Sequence, residues 1–142
     1  MDLLIRAYSP GDEPSVVSLW ERCGLVRPRN DPHEDIRRKS AVRPNLFLVG
    51  LSAGRVVATA MAGYEGHRGW LNYVAVEPDL QRTGLGRAIV AAAEERLSRE
   101  GCPKVNLQVR ALNSAAIASY RQLGYSVDDV VSMGKRLAHD DR

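Results

Sequence analysis

The spacing of apolar residues changes several times along the chain, and each spacing predicts a different element. Residues 3–8 alternate well enough to form a short strand. A stripe with helical spacing follows, with Asp12 as its N-cap and Gly24 as its end. The members of this stripe are Val16, Val17, Leu19, Trp20 and Cys23. The polar stretch from His33 to Ser40 predicts a second, shorter helix.

The middle of the chain predicts an antiparallel meander of strands. Residues 46–51, 55–64 and 70–76 are apolar runs of strand length, and the second is rich in β-branched and small residues. These strands are separated by a turn at residues 52–54 and by a glycine-containing loop at residues 64–69. Short connections of this kind join neighbouring strands.

Helical spacing returns in the last third of the chain. Leu85 to Arg99 predicts a helix, Lys104 to Val109 a strand, and residues 113–123 a helix that Gly124 ends. The last 18 residues fit two short strands with a polar tail. Because a strand–helix–strand unit with short connections requires a right-handed parallel pair, the fold class is α/β with a mixed sheet.

Composition limits what such a fold can be. With 142 residues, of which 44% are apolar, the chain has the length and the core of one domain over residues 1–142. No run approaches the roughly 18 apolar residues that a membrane span needs. The first residues lack the basic and apolar regions of a secretory signal. We therefore expect a cytoplasmic protein without a membrane segment.

Charge and cysteine usage remove further classes of function. The net charge of +3, from 20 basic and 17 acidic residues, is small for a nucleic-acid-binding protein. We therefore do not expect a nucleic acid as a partner. Two cysteines do not make a disulfide framework. Three scattered histidines without a cysteine or histidine cluster predict that no metal is bound.

The most informative segment joins the end of a strand to the start of a helix through a glycine-rich loop, residues 74–87. N–H groups in the first turn of a helix are unpaired, and the helix dipole is positive there. Gly84 and Gly86 lack side chains that would keep an anion away, and Arg82 and Arg87 can pair with phosphate. The loop predicts a pyrophosphate site, although a glycine-assisted helix start without a ligand fits the residues equally well.

Two segments resemble the GNAT superfamily of N-acetyltransferases. Residues 81–86, of sequence QRTGLG, resemble its Q/R-x-x-G-x-G/A acetyl-coenzyme A loop. Residues 113–125, of sequence NSAAIASYRQLGY, resemble its second signature, N-x-x-A-x-x-x-Y-x-x-x-G-[FY]. The order of the two motifs, separated by one helix and one strand, strengthens the match. The similarity is greatest to small bacterial YpeA-like and RimI-like members.

The resemblance implies a fold, a co-substrate and a set of binding residues. The fold is a central, mostly antiparallel mixed sheet with splayed parallel strands and flanking helices, and the co-substrate is acetyl-coenzyme A (acetyl-CoA). Backbone N–H groups of residues 82–87 would hold its pyrophosphate, and the end of the preceding strand would pair with its pantetheine arm. Asn113 would contact the cofactor, cap its helix, or do both. The implied binding residues are Val74, Ala75, Val76, Gln81, Arg82, Thr83, Gly84, Leu85, Gly86, Arg87, Asn113 and Tyr120.

Tyr120 is the residue that the resemblance makes the general acid. A thiol pKa near about 8.5 and a tyrosine pKa near about 10 are close enough for proton transfer to the departing sulfur. A merely buried tyrosine would occupy the same helical face. RimI-like enzymes have a glutamate at the position of Gln108, which cannot take a proton. Glu65 is the preferred substitute base, with His67 and Tyr73 as weaker candidates.

Three functions remain open at this point. An N-acetyltransferase would act on a small molecule, a peptide N-terminus or a lysine, by direct transfer in a ternary complex. A catalytically silent acyl-CoA sensor would keep the cofactor site, and Gln108 favours it. A nucleotide-binding phosphate-loop protein is the third. A homodimer through the last predicted strand, Val131 to Leu137, is compatible with each.

Overall fold

Within residues 2–140, which the computed structural model describes, five strands form one mixed sheet flanked by four α-helices. The strands are β1 (Leu4–Ala7), β2 (Phe47–Ser52), β3 (Arg55–Tyr64), β4 (Gly69–Val76) and β5 (Val105–Leu107). The helices are α1 (Glu13–Arg22), α2 (Pro32–Ser40), α3 (Leu85–Arg99) and α4 (Ser114–Gln122). Successive strands pair antiparallel from β1 to β4, and β5 joins β4 in parallel, which confirms the mixed sheet.

The sheet has a core on each face. On one face, which we call the α1 face, α1 and Ile36 of α2 pack on Phe47, Val49 and Met61. On the other, the α3 face, α3 packs on the small side chains that alternate along β3. Those small residues are Ala58, Ala60 and Ala62. Because alanines let a helix approach the sheet closely, α3 lies directly over β3 and β4.

A β-bulge interrupts the pairing of β3 with β4. Thr59 pairs with Ala75 but Met61 pairs with Asn72, so β4 holds one residue more than β3 between these pairs. Tyr73 lies inside the bulge with a φ of 51°. An extra residue reverses the alternation of side chains along a strand, and Tyr73 therefore packs on the α1 face.

Asp12 is the N-cap residue of α1, as predicted, but its side chain makes no capping hydrogen bond to that helix. Its carboxylate instead accepts hydrogen bonds from Arg6, at 2.7 and 2.9 Å, and from the Ser9 N–H at 2.9 Å. The pairing with Arg6 holds the pKa of Asp12 below its usual range. The residue thus ties β1 to the start of α1.

The two strands expected after α4 are absent from the described part of the chain. Residues 125–140 contain no strand, and their contacts with β5 run through side chains. Asp128 accepts hydrogen bonds from Lys104 at 3.0 Å and from Asn106 at 2.9 Å. An apolar run forms a strand only where a sheet edge accepts its backbone, and here Val131 stays 86% exposed. The sheet-edge homodimer expected through residues 131–137 therefore has no strand to carry it.

Candidate functional site

The two parallel strands separate where the site is expected. β4 and β5 pair over only three positions, from Gly69 with Val105 to Leu71 with Leu107. Beyond Leu71, β4 continues to Val76 along β3, and no strand in the described part of the chain pairs with its other side. The Glu77 N–H bonds the Val57 carbonyl of β3 at 2.8 Å. Because backbone groups alternate along a strand, the N–H and C=O groups of Val74 and Val76 face away from β3, into the gap.

Helix α3 begins at the end of β4 with its first N–H groups open. Its N-cap is Gly84, at a φ of 93°, and in the described structure no side chain caps the helix. Arg82 also lies in the left-handed region, at 67°, so the loop turns sharply into the helix. At Gly86, an added Cβ would touch only Val76 Cγ2, at an ordinary 3.7 Å. Neither packing nor φ requires glycine at position 86, and its missing side chain keeps the helix end accessible.

An ion pair fixes the start of this loop. Glu77 is buried, and its carboxylate accepts hydrogen bonds from Arg22 of α1 at 2.6 and 3.2 Å. The guanidinium holds the pKa of Glu77 below its usual range. Nearby, the Val76 carbonyl accepts a hydrogen bond from the Cys23 thiol at 3.3 Å and from the Gln81 amide at 3.4 Å. The end of α1 thus anchors the strand end that leads into the loop.

Tyr120 lies on the α3 face, the face on which Val74 and Val76 also pack. Its ring meets Tyr125 edge-on, with centroids 5.8 Å apart. Burial raises the pKa of Tyr120, so the hydroxyl keeps its proton at neutral pH. At the start of the same helix, Asn113 Oδ1 accepts a hydrogen bond from the Ala116 N–H at 3.1 Å. The predicted helix cap at Asn113 is therefore confirmed. Within residues 2–140, the N–H₂ group of the Asn113 side chain donates no hydrogen bond.

A wide cleft of about 1520 Å³ opens beside β5, between α4 and residues 125–133. Tyr120 lines it, but neither residues 74–76 nor the loop at 82–87 do. Gln108 also lines the cleft, and its amide donates a hydrogen bond to the Ser132 hydroxyl. The cleft therefore contacts Tyr120 and Gln108 but not the glycine loop.

The structure places Glu65, the predicted base, in the turn before β4. Its carboxylate accepts hydrogen bonds from the backbone N–H groups of His67, at 2.6 Å, and Arg68, which lower the pKa of Glu65. This turn precedes β4, whereas the glycine loop follows it, and the eight residues of β4 span roughly 20 Å. Glu65 is exposed and organises the turn at the far end of the strand.

The structure also brings together polar residues that the sequence did not single out as a group. Trp20 Nε1 donates to Thr59 Oγ1 at 2.9 Å, and Thr59 Oγ1 donates to the Tyr73 carbonyl at 2.7 Å. The Trp20 ring stacks on the Tyr73 ring at 3.7 Å. The Tyr73 hydroxyl donates to Asp35 at 2.6 Å and accepts from the Asn30 amide at 2.9 Å. Their separations in sequence, 14 to 43 positions, leave no local signal.

Among residues 2–140, no three His, Cys, Asp or Glu side chains come together as a metal site. None of the helices in that part of the chain combines the length and apolar character needed to span a bilayer.

Comparison with known proteins agrees with this geometry. The model of the acetyltransferase (GNAT) family matches residues 14–125. An acetyltransferase of Sodalis glossinidius is 47% identical over 137 residues, 96% of each chain. The ribosomal-protein-S18-alanine N-acetyltransferase of Escherichia coli has a similar structure, with a TM-score of 0.72 and 26% identity over 87% of this chain and 77% of that one.

A further likeness concerns the fold alone. AAC(6')-Iy, solved in complex with a bisubstrate analogue of coenzyme A, matches with a TM-score of 0.76 at 15% identity, over 96% of this chain and 99% of that one. The split sheet and the glycine-rich helix start, together with these matches, define an acetyltransferase. The chain belongs to the GNAT family.

Proposed function

We propose that the protein transfers an acetyl group from acetyl-CoA to a primary amine, directly and within a ternary complex. The observation that carries the proposal is the unpaired stretch of β4 at residues 74–76, which leads into a helix whose N-terminus is open. An extended, amide-containing arm fits the first feature and a pyrophosphate fits the second. Acetyl-CoA contains both groups, in that order from the thioester.

The donor site divides among three sets of groups. The backbone N–H and C=O of Val74 and the N–H of Val76 hydrogen-bond the pantetheine arm, while the Val76 carbonyl accepts from Cys23 and Gln81. N–H groups of Leu85, Gly86 and Arg87 hold the pyrophosphate, and the guanidinium groups of Arg82 and Arg87 add charge. The other predicted cofactor-binding residues support acetyl-CoA binding by shaping the loop or by lying next to it. These are Ala75, Gln81, Thr83, Gly84 and Asn113.

Tyr120 acts as the general acid in this proposal. The amine nitrogen attacks the thioester carbonyl carbon, the C–N bond forms and the C–S bond breaks. The electron pair of that bond goes to sulfur, which takes the Tyr120 proton and leaves as the thiol. The nitrogen gives up its proton to water, and water restores the Tyr120 proton. Burial raises the pKa of Tyr120, which keeps the hydroxyl protonated when sulfur departs but also makes it a weaker acid towards the thiolate.

Removal of one hydroxyl tests the proposal. Tyr120→Phe should lower kcat by about 10²- to 10⁴-fold in a thiol-release assay, while the Kd for acetyl-CoA stays within about twofold. Tyr64→Phe is the matched control, since that hydroxyl bonds the Gly66 carbonyl at 3.2 Å, in the turn before β4. Unchanged turnover in Tyr120→Phe would remove Tyr120 from the mechanism.

The second candidate function is a sensor that binds acetyl-CoA without catalysis. Gln108 favours it, because its amide hydrogen-bonds Ser132 and offers no basic atom. A screen of polyamines, amino acids, aminoglycosides and peptide N-termini separates the two functions. Micromolar acetyl-CoA binding without thiol release from any amine would favour the sensor.

A further inference from the structure

The β-bulge puts Tyr73 of β4 on the face of the sheet opposite the one where Tyr120 of α4 packs. Leu71, before the bulge, packs on the α3 face together with Tyr120. Tyr73, two residues later, packs on the α1 face, although regular alternation would put it beside Leu71. The segment that we assign to the pantetheine arm starts at the next residue, Val74. The two tyrosines thus lie on opposite faces of the sheet.

Asp35 is the charged group that Tyr73 holds on the α1 face. One carboxylate oxygen, Oδ2, accepts hydrogen bonds from both the Tyr73 hydroxyl and the Asn30 amide. Burial and the bond to Asp35 raise the pKa of Tyr73, so the phenol remains a donor to the carboxylate. These bonds come from β4 and from the loop before α2, and they fix the carboxylate relative to the bulge.

The other carboxylate oxygen of Asp35 retains capacity for a cation. Among residues 2–140, Oδ1 receives a single hydrogen bond, of 3.3 Å, from Arg38. Arg38 is bound more closely elsewhere, since both of its terminal nitrogens contact the carboxylate of Asp140. The Asp35 side chain remains 21% exposed. A carboxylate with one weakly bound, replaceable cation is able to bind another cation in its place.

We propose that Asp35, positioned by Tyr73 and Asn30, binds the acceptor on the α1 face and selects amines that carry a positive charge. This inference rests on the proposed function, which puts the donor arm beside Val74. With Tyr120 on the α3 face taking the departing sulfur, an acceptor that enters from the α1 face meets the thioester from the other side of the sheet. An acceptor whose second group is neutral or anionic binds less well than one that carries a cation at the same distance from its reacting nitrogen.

Three primary amines of equal length test the charge preference. They are 1,5-diaminopentane, 5-amino-1-pentanol and 5-aminopentanoate, which end in a cation, a neutral group and an anion. With acetyl-CoA saturating, the wild-type kcat/KM should fall in that order, by roughly five- to tenfold from the first to the second. Asp35→Asn should bring all three within about twofold of one another and leave the Kd for acetyl-CoA unchanged.

Two further variants keep the test decisive. Glu34→Gln is the matched control, because this neighbouring acid pairs with Arg37 and should leave the order intact. Arg38→Met removes the resident cation and should widen the preference for the diamine, which gives a readout even where Asp35→Asn fails to fold. An unchanged order in folded Asp35→Asn, or no change in Arg38→Met, overturns this inference alone. Absence of turnover with every amine overturns the proposed function and this inference with it.

Discussion

Gly86 is a residue whose identity the folded chain does not itself require. A side chain there would meet ordinary van der Waals space, and its φ lies outside the left-handed region. We expect Gly86→Glu to raise the Kd for acetyl-CoA by about 30-fold or more, because a carboxylate would stand at the phosphate position and repel it. Isothermal titration measures this change.

Gly11→Glu is the matched control for that variant. Gly11 also has open space around its Cβ position and an ordinary φ, but it lies in the short 3-10 turn before α1. The Gly11→Glu variant should bind acetyl-CoA with the same Kd as the wild type. Equal binding by wild type and Gly86→Glu would show that the start of α3 does not hold the pyrophosphate.

At the level of elements, the Arg22–Glu77 pair joins α1 to the end of β4. Arg22→Met would leave the buried Glu77 carboxylate without its guanidinium, so we expect a loss of about 1–3 kcal/mol in the free energy of unfolding at pH 7. Urea denaturation of both proteins measures the difference. Ser18, which also accepts a bond from Arg22, is exposed and should contribute little.

The same pair predicts a dependence on pH. The pKa of Glu77 is lowered in the folded protein, so its contribution is complete above the ordinary glutamate pKa of about 4.3 and is lost as the pH falls through the folded value. The difference in unfolding free energy between wild type and Arg22→Met should therefore shrink between about pH 5 and pH 3. A difference that is constant with pH would contradict the assignment to Glu77.

Elements with local signals were predictable from sequence, and elements defined by a distant partner were not. The bounds of α3 follow from its own apolar stripe, and those of β3 from its flanking turns. β5 is shorter than its apolar run because β4 pairs with it only up to Leu107. The strands expected after Gly124 depended on a sheet edge that receives no backbone from residues 125–140.

The same distinction applies to the site. The loop at residues 81–87 and the motif at residues 113–125 are contiguous, so the sequence alone indicated them. The bond between Tyr73 and Asp35 joins positions 38 apart, across a bulge that no sequence pattern announced. Glu65 stays a prediction, because its closeness in sequence to β4 did not reveal that its carboxylate accepts hydrogen bonds from its own turn.

For the whole molecule, donor binding should appear as added stability. A ligand that binds only the folded state at about 100 times its Kd adds about 2.7 kcal/mol, and for a chain of this size that raises Tm by about 5–10 °C. We expect this shift with acetyl-CoA in differential scanning fluorimetry, and little shift with ATP, which has phosphates but no pantetheine arm to lie along residues 74–76. A shift with ATP and none with acetyl-CoA would favour a nucleotide-binding protein, because the glycine loop would then act without the gap between β4 and β5.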